Sequence, residues 1–348
     1  MTFSALRRKV KTDLQATLRR RCALPEKEKR SPPMNAQTTG RPLTAFHLKC
    51  IALAAMIVDH AAAVLVPVQL PVYTLLRGIG RIAFPIYAFF IAEGCRRTRS
   101  RERYLLRLGM FALISEIPFD LAFYPQLRTG VLWKDFLNST NIFYTLFFAV
   151  ACIHIWETLR RQSRPLQLAA AGTFCTCLAF WAYLLFNITG NGLPYILMIL
   201  LYLACFLTAC HVLEGSSPRE PDRLGNILCI LPLLPIFFLS EVVDCDYSVF
   251  GVVLICLLYL AKDRNWQTGV LALGLLYEYG WEGWLKPVVL WRNDFQWAPA
   301  VSLVFALLAV VLLCFYNGKR GRNIKWAFYG AYPVHIAILA LLRVILGL

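Results

Sequence analysis

Long apolar runs follow one another along most of this chain, with short polar stretches between them. A helix needs about 20 apolar residues to cross the hydrocarbon core of a bilayer, and most of these runs are long enough. The runs lie at 43–67, 72–94, 103–124, 141–159, 166–187, 193–213, 224–240, 246–262, 266–280, 298–316 and 326–347. The run at 266–280 is short, so it either crosses or forms a re-entrant or interfacial segment. The pattern predicts an all-α polytopic transmembrane helical bundle of about eleven spans.

The composition indicates an integral membrane protein. Hydrophobic residues make up 58% of the 348 residues and charged residues only 16%, whereas soluble domains average about 45–50% and about 25%. Residues 1–43 differ, because they are polar and basic and lack the apolar core of a secretory signal. We expect them to form a basic cytoplasmic segment ahead of a membrane domain at 44–348. This segment is a basic helix on the membrane surface, a flexible tail, or a stretch upstream of a translation start at Met34.

The positive charge of the chain follows the predicted topology. The sequence carries 36 Lys and Arg against 20 Asp and Glu, a net charge of +16. With a cytoplasmic N-terminus and every run crossing, most of the Lys and Arg fall on the cytoplasmic side, as the positive-inside rule requires. The exceptions are Arg77, Arg81, Arg128, Lys134, Lys286, Arg292 and Arg343. Membrane topology therefore explains the basic excess, and no nucleic-acid partner is expected.

The first predicted helix carries an acidic residue and a histidine side by side, Asp59 and His60. Ionisable groups inside lipid cost roughly 2.5–3.5 kcal/mol or more, so they are functional candidates. The many alanines of this helix favour a central place in the bundle, since small residues let helices approach closely. Counting about 1.5 Å of rise per residue places polar residues of several helices at a similar depth, in the outer half of the membrane. They are Asp59, His60, Arg81, Glu116, Asp120, Asn141 and His335.

Three hypotheses explain such a polar cluster. In the first it is structural, with Asp59 paired to Arg81 and the histidines bonded to backbone carbonyls. In the second it lines the proton or solute path of a transporter. In the third it is catalytic, and a histidine acts as general base on an acceptor amine or hydroxyl. Neighbouring side chains on a helix diverge by about 100°, so we expect the orienting partner of His60 to come from another helix rather than from Asp59.

The densest basic stretch is the predicted cytoplasmic loop 96–103, with the sequence RRTRSRER. Guanidinium groups bind phosphates bidentately, so Arg96, Arg97 and Arg99 are candidates for binding an anionic cofactor. The same residues also fit a plain topology signal. The 12 cysteines lie mostly inside apolar runs and show no zinc-type spacing, so no metal is expected.

Several motifs of the sequence resemble the TraX family of membrane proteins. They are LKCIALAAMIVDH at 48–60, IGRIAFPIY at 79–87, EGCRRT at 93–98, YLLRL at 104–108, ISEIPF at 114–119, YNGKRG at 316–321 and YGAYPVH at 329–335. The resemblance is densest at 48–120 and 315–336, whereas about 160–300 carries little that is specific. It implies a multi-pass protein of the bacterial cytoplasmic (inner) membrane that acetylates the N-terminus of conjugative pilin.

The family is also distantly similar to multi-spanning acyltransferases that take acyl-CoA from the cytoplasm. The resemblance therefore implies acetyl-CoA as the acyl donor. It also implies that His60 or His335 is the base or acyl-relay residue. Asp59 and Arg81 would then hold the site together.

The same resemblance implies that the three arginines of the basic loop receive the CoA phosphates. The expected partners are the lipid bilayer and a pilin or another surface acceptor. A membrane transporter and a non-catalytic assembly protein remain the alternatives. The candidate substrate-binding residues are Glu116, Asp120 and Asn141.

Overall fold

A computed structural model describes residues 40–124, 139–162, 167, 170, 223–291 and 297–347 of the chain. Within these residues the only β-structure is a pair of isolated bridges, Leu43–Tyr316 and Thr140–Cys245. The α-helices are α1 (Ala45–Leu65), α2 (Pro71–Gly80), α3 (Ala83–Arg97), α4 (Arg101–Phe123), α5 (Ile142–Leu159), α6 (Arg223–Leu228), α7 (Leu234–Val242), α8 (Ser248–Leu260), α9 (Arg264–Leu275), α10 (Lys286–Trp291), α11 (Trp297–Cys314) and α12 (Lys325–Leu346). A 3₁₀ turn (Leu231–Leu233) precedes α7, and a π-helix (Leu276–Leu285) joins α9 to α10.

Six helical stretches of the described residues are long and apolar enough to cross a membrane. They are Ala45–Leu65, Pro71–Arg97, Ile142–Leu159, Arg223–Val242, Trp297–Cys314 and Lys325–Leu346. A helix or consecutive helices occupy each predicted apolar run that the structure describes. The prediction of an all-α, multi-pass membrane protein is therefore confirmed. The spans predicted at 166–187 and 193–213 lie outside the described residues, apart from residues 167 and 170, as does most of segment 1–43.

The predicted run 246–262 forms a shorter helix than expected, the 13-residue α8. At about 1.5 Å per residue such a helix is roughly 20 Å long, which is less than the ~30 Å hydrocarbon core. Its start is delayed because Tyr247 has a left-handed backbone conformation, with φ of 63°. Asp246 and Tyr247 therefore lie in a loop ahead of the helix rather than in its first turn.

The predicted second span is interrupted between α2 and α3, at Arg81 and Ile82. Pro85 explains the break, because its ring has no N–H and crowds the carbonyl four residues earlier, which belongs to Arg81. The chain tightens there, and the Arg81 N–H donates to the Gly78 carbonyl at 2.9 Å. The break places Arg81 at the junction of two helices inside the bundle.

Helix α1 packs into the bundle on one face only, and its Ala54 and Ile57 are exposed. It contacts α2, α3 and α12, while α12 also packs along α4, and α5 lies between α4 and α8. Ala52, Ala55 and Ala62 are buried where α1 meets these neighbours. The absence of large side chains there allows the backbones to approach closely.

Basic residues gather at one end of the bundle, which we call the basic end. The start of α1 meets the turn after α11 there. The Ala45 N–H donates to the Lys319 carbonyl at 2.9 Å, and the Phe46 N–H donates to the Arg320 carbonyl at 3.1 Å. The opposite half of α1 carries His60, and we call that part of the bundle the histidine end.

The contact between α1 and α2 at Gly80 is close enough to be tested. A Cβ atom added to Gly80 would lie 2.2 Å from the Asp59 Cβ. We expect Gly80→Ala to lower the thermal unfolding temperature of the purified protein in detergent, at an overpacking cost of about 1–3 kcal/mol. Gly269→Ala is the matched control, since a Cβ there meets no atom within 4 Å, and it should be neutral or mildly stabilising. Equal unfolding temperatures of the two variants would contradict the close contact.

Candidate active site

A cavity of about 830 Å³ among the described residues extends from the basic end to the histidine end. The residues that line it change from cationic to aromatic and then to a mixture of acidic, basic and polar side chains. Cationic residues line the basic end: Lys49, Arg97, Arg99, Arg107, Arg320 and Lys325. Aromatic rings follow, among them Tyr87, Phe90, Tyr104, Phe328 and Tyr329. The histidine end is lined by Asp59, His60, Arg77, Arg81, Asp246 and Tyr247.

An ion pair with Arg77 holds the Asp59 carboxylate. Asp59 Oδ2 lies 2.8 Å from Arg77 Nη1, and this guanidinium also lies 3.4 Å from the Asp59 carbonyl oxygen. The side chains are mostly buried, with exposed fractions of 13% for Asp59 and 28% for Arg77. The sequence suggested Arg81 as the partner of Asp59. Arg77 takes that place because it lies one turn earlier on α2 and the close contact at Gly80 brings it alongside the carboxylate.

His60 and His335 are in direct contact, although they are distant in sequence. His60 Nδ1 lies 2.7 Å from His335 Nε2, and the two rings are nearly parallel, with an interplanar angle of 5°. His335 Nδ1 lies 2.7 Å from the backbone carbonyl oxygen of Ala331. By contrast, His60 Nε2 is 3.9 Å from Asp59 Oδ2, which is beyond hydrogen-bond distance. The expected partner of His60 from another helix is therefore His335.

Arg81 points toward the loop before α8 rather than forming the ion pair with Asp59. Its Nη1 donates to the Tyr247 hydroxyl at 3.3 Å, and the Tyr279 hydroxyl is 3.2 Å from the same oxygen. The Tyr247 ring stacks on Phe84, with centroids 3.7 Å apart. Arg81 thus joins the α2–α3 break to the loop before α8 and to the π-helix.

The sequence analysis missed Asp246 and Tyr247, which the structure places at the histidine end of the cavity. The loop that carries them has positive φ angles at Asp244, Tyr247 and Ser248. Such conformations cost about 1–3 kcal/mol each and often occur at functional sites. The sequence signal was the pair of acidic residues in DCDY at 244–247, directly before an apolar run. The predicted run 246–262 instead places Asp246 and Tyr247 in the first turn of a helix.

The candidate substrate-binding residues lie apart from the cavity. Glu116 and Asn141 are buried against each other, and the Glu116 carboxylate accepts hydrogen bonds from the Asn141 backbone and side-chain amides. Asn141 also donates to the Ala112 carbonyl at 2.8 Å and caps the start of α5 by accepting from the Phe143 N–H at 3.0 Å. These contacts fasten α4 to α5. Neither residue lines the cavity, and neither does the half-buried Asp120.

The three arginines of the basic loop have different surroundings. Arg97 and Arg99 line the cavity, and Arg97 also pairs with Glu93 at 2.7 Å. Arg96 does not line the cavity. Its guanidinium donates instead to the backbone carbonyls at the end of α8, at Leu258, Tyr259 and Ala261, at 2.5–2.7 Å.

Tyr316 lies in the turn after α11 and lines the basic end of the cavity. Burial raises the pKa of its hydroxyl, while the neighbouring Arg97 guanidinium acts in the opposite direction. Because the net change is upward from an ordinary pKa of about 10, Tyr316 keeps its proton at neutral pH. It therefore adds a neutral hydroxyl to the cationic lining.

The structure thus brings together four of the predicted residues, Asp59, His60, Arg81 and His335, and adds Arg77 to them. They form a paired carboxylate, an imidazole pair and two guanidinium groups around one end of a cavity. Such a set can accept a proton and stabilise negative charge. Among the described residues, no group of three or more His, Cys, Asp or Glu side chains is arranged to hold a metal ion.

Comparisons with known proteins agree with the motifs of the sequence. The family model described as TraX protein matches residues 45–213 of this chain, which confirms the resemblance to the TraX family. A protein of Dichelobacter nodosus named "Probable fimbrial assembly protein FimC, serogroup H1" is 26% identical over 302 residues, covering 85% of this chain and 94% of the relative. No solved structure matches the chain significantly.

The buried ion pair can be tested with a double-mutant cycle. We expect Asp59→Asn and Arg77→Gln each to destabilise the protein by about 3–5 kcal/mol, since each leaves a buried charge without its partner. The double variant should lose less than the sum, by a coupling of about 0.5–3 kcal/mol. Unfolding in detergent measures all three variants. Glu282→Gln, which breaks the partly exposed pair with Lys286 within one helical stretch, is the control and should cost no more than about 1 kcal/mol. Strict additivity would contradict the direct pairing.

Proposed function

We propose, from the TraX match over residues 45–213 and the geometry of the cavity, that this chain is an integral membrane acetyltransferase. It moves an acetyl group from acetyl-CoA to an acceptor amine or hydroxyl, as the TraX resemblance implies for the N-terminus of pilin. The relative's name, a fimbrial assembly protein, supports a pilin or another surface protein as the acceptor. The proposed location is the bacterial cytoplasmic (inner) membrane.

The observation that carries this proposal is the continuous cavity between a cationic end and a buried imidazole. CoA has the matching shape, because its phosphates and its thioester lie at opposite ends of the extended pantetheine arm. Along α1 the rise from Lys49 to His60 is about 17 Å. An extended arm lying along α1 would pass the aromatic rings and bring the thioester to His60.

The basic end supplies the groups that would hold the CoA phosphates. Arg97 and Arg99 line it, as the sequence suggested, and the structure adds Arg107 and Arg320 from other elements. Guanidinium groups suit phosphate oxygens because they donate two parallel hydrogen bonds. We leave Arg96 out of this set, since its donors already satisfy the last carbonyls of α8.

The histidine end supplies the groups for acyl transfer. His60 lines the cavity and would take the proton of the acceptor as that group attacks the thioester carbonyl. Negative charge then develops on the carbonyl oxygen, and the Arg81 guanidinium at the same end would stabilise it. Asp59 and Arg77 hold the site together rather than react, because each satisfies the charge of the other.

We test this function with purified protein in detergent and labelled acetyl-CoA. We expect hydrolysis or transfer of the label, and His60→Gln should lower kcat by roughly 100-fold to 1,000-fold, within the range of a lost general base. Arg97→Gln should raise KM for acetyl-CoA with little change in kcat. Arg96→Gln is its matched neighbour and should lower the unfolding temperature instead of raising KM.

Two outcomes would contradict the acetyltransferase. One is a wild-type protein without hydrolysis or transfer, combined with normal pilus assembly in strains that carry His60→Ala or His335→Ala. The other is solute uptake into proteoliposomes without acetyl-CoA, which would support the transporter. If transfer is seen, mass spectrometry of surface proteins from a deletion strain identifies the acceptor.

We further propose that the chain crosses the membrane about eleven times, with its N-terminus in the cytoplasm. The gathering of cationic residues at one end supports this orientation, because the positive-inside rule puts that end in the cytoplasm, where acetyl-CoA is available. Alkaline phosphatase fused after Gly321 should then be inactive, and the same fusion after Leu348 should be active. The reverse pattern of activities would overturn the orientation.

A further inference from the structure

The proton on the His335 ring is located by the backbone of α12. His335 Nδ1 lies 2.7 Å from the Ala331 carbonyl oxygen. A carbonyl oxygen can only accept, so Nδ1 of His335 carries the hydrogen and donates it. In a neutral imidazole the other nitrogen, Nε2, then has a lone pair and no hydrogen. His335 therefore presents a hydrogen-bond acceptor to α1.

This acceptor in turn determines the tautomer of His60. His60 Nδ1 is 2.7 Å from His335 Nε2 and must be the donor of that hydrogen bond. The remaining nitrogen of a neutral His60, Nε2, is then the one with a free lone pair. His60 lines the cavity, whereas His335 is not among its lining residues. The pair therefore has one basic nitrogen without a hydrogen-bond donor, and it belongs to the ring at the cavity.

The packing around the two histidines holds their rings in this orientation. Each histidine has an exposed fraction of only 8%. The rings of Phe123 and Tyr332 stand edge-on to His60, with centroids 5.4 and 5.8 Å from its own. Asp59 does not hydrogen-bond to His60, because its Oδ2 pairs with Arg77 and lies 3.9 Å from His60 Nε2. The hydrogen bond to His335 is thus the interaction that orients His60.

We infer that His335 is a positioning residue for the proposed acetyl transfer. It fixes His60 in the tautomer with a bare Nε2, and it takes up the His60 Nδ1 proton when Nε2 becomes protonated. This inference rests on the proposed function. It assigns different roles to the two histidines: His60 meets the substrate, and His335 acts through His60.

The proton movements balance without another reactant. The acceptor forms its bond to the acetyl carbonyl carbon while its proton passes to His60 Nε2 and the His60 Nδ1 proton shifts to His335 Nε2. The carbonyl–sulfur bond then breaks, and its electron pair stays on sulfur. The CoA thiolate takes the proton from His60 Nε2, and His335 returns the Nδ1 proton. One proton has moved from the acceptor to the CoA thiol, and both imidazoles are neutral again.

The test compares three substitutions of His335 in full-length protein in detergent. His335→Leu removes the acceptor, and we expect kcat to fall about 100-fold, with KM for acetyl-CoA unchanged. His335→Gln has a side chain of similar reach, so its amide oxygen accepts from His60 Nδ1, and kcat should recover to within about tenfold of wild type. His335→Asn is polar but too short to reach His60, and it should behave like His335→Leu. His154→Gln, in α5 and outside the cavity lining, is the control and should match wild type.

Rescue by Gln but not by Asn would establish the orienting hydrogen bond, because a merely structural role would not separate these two amides. Equal kcat values for the Gln and Asn variants would overturn the inference, as would a wild-type kcat for His335→Leu. The Gln and Asn pair decides the question even if the Leu variant does not fold. A wild-type protein without any acetyl-CoA turnover, together with normal pilus assembly in the His60→Ala and His335→Ala strains, would instead overturn the proposed function, so the two failures are distinguishable.

Discussion

The ion pair between Asp59 and Arg77 determines how the first two helices meet. Two charges inside a lipid-embedded bundle are costly unless each has a partner at hydrogen-bond distance. Their 2.8 Å contact is possible because Gly80 has no side chain and lets α2 approach the Asp59 side chain. The Asp59–Arg77 ion pair therefore depends on the glycine at position 80, and the close approach of α1 and α2 at Gly80 is stabilised by the ion pair.

This pairing decides what remains available to His60. An aspartate next to a histidine suggests a carboxylate–imidazole pair, but Asp59 Oδ2 pairs with Arg77 and lies 3.9 Å from His60 Nε2. His60 takes its hydrogen bond from α12 instead, through His335. The result is an imidazole pair of which His60 lines the cavity, at the end that Arg77 and Arg81 also line. The different roles of Asp59 and His60 thus follow from the ion pair between Asp59 and Arg77.

The same helical geometry separates Arg96 from Arg97 at the other end of the cavity. Neighbouring side chains diverge by about 100° on a helix, so only one of the two points into the cavity. Arg97 does, whereas Arg96 satisfies the carbonyls that α8 leaves without N–H partners at its end. Two arginines with identical sequence signals therefore differ in role, one toward a phosphate-bearing ligand and one toward the fold. The same reasoning separates Asp59 from His60.

The sequence by itself determined the all-helical membrane character, the gathering of cations at one end, and most of the residues around the buried site. These features follow from periodicity, apolar length and the cost of charge in lipid, which act locally along the chain. The tertiary structure alone decided which polar groups meet. Asp59 pairs with Arg77 rather than with Arg81. Glu116 and Asn141 lie in a helix–helix contact, and Asp246 and Tyr247 line the cavity. Those contacts form between helices that are distant in sequence, so no local pattern predicts them. At Gly80 the missing side chain lets α2 come close to Asp59, and Arg77 then lies within reach of the carboxylate.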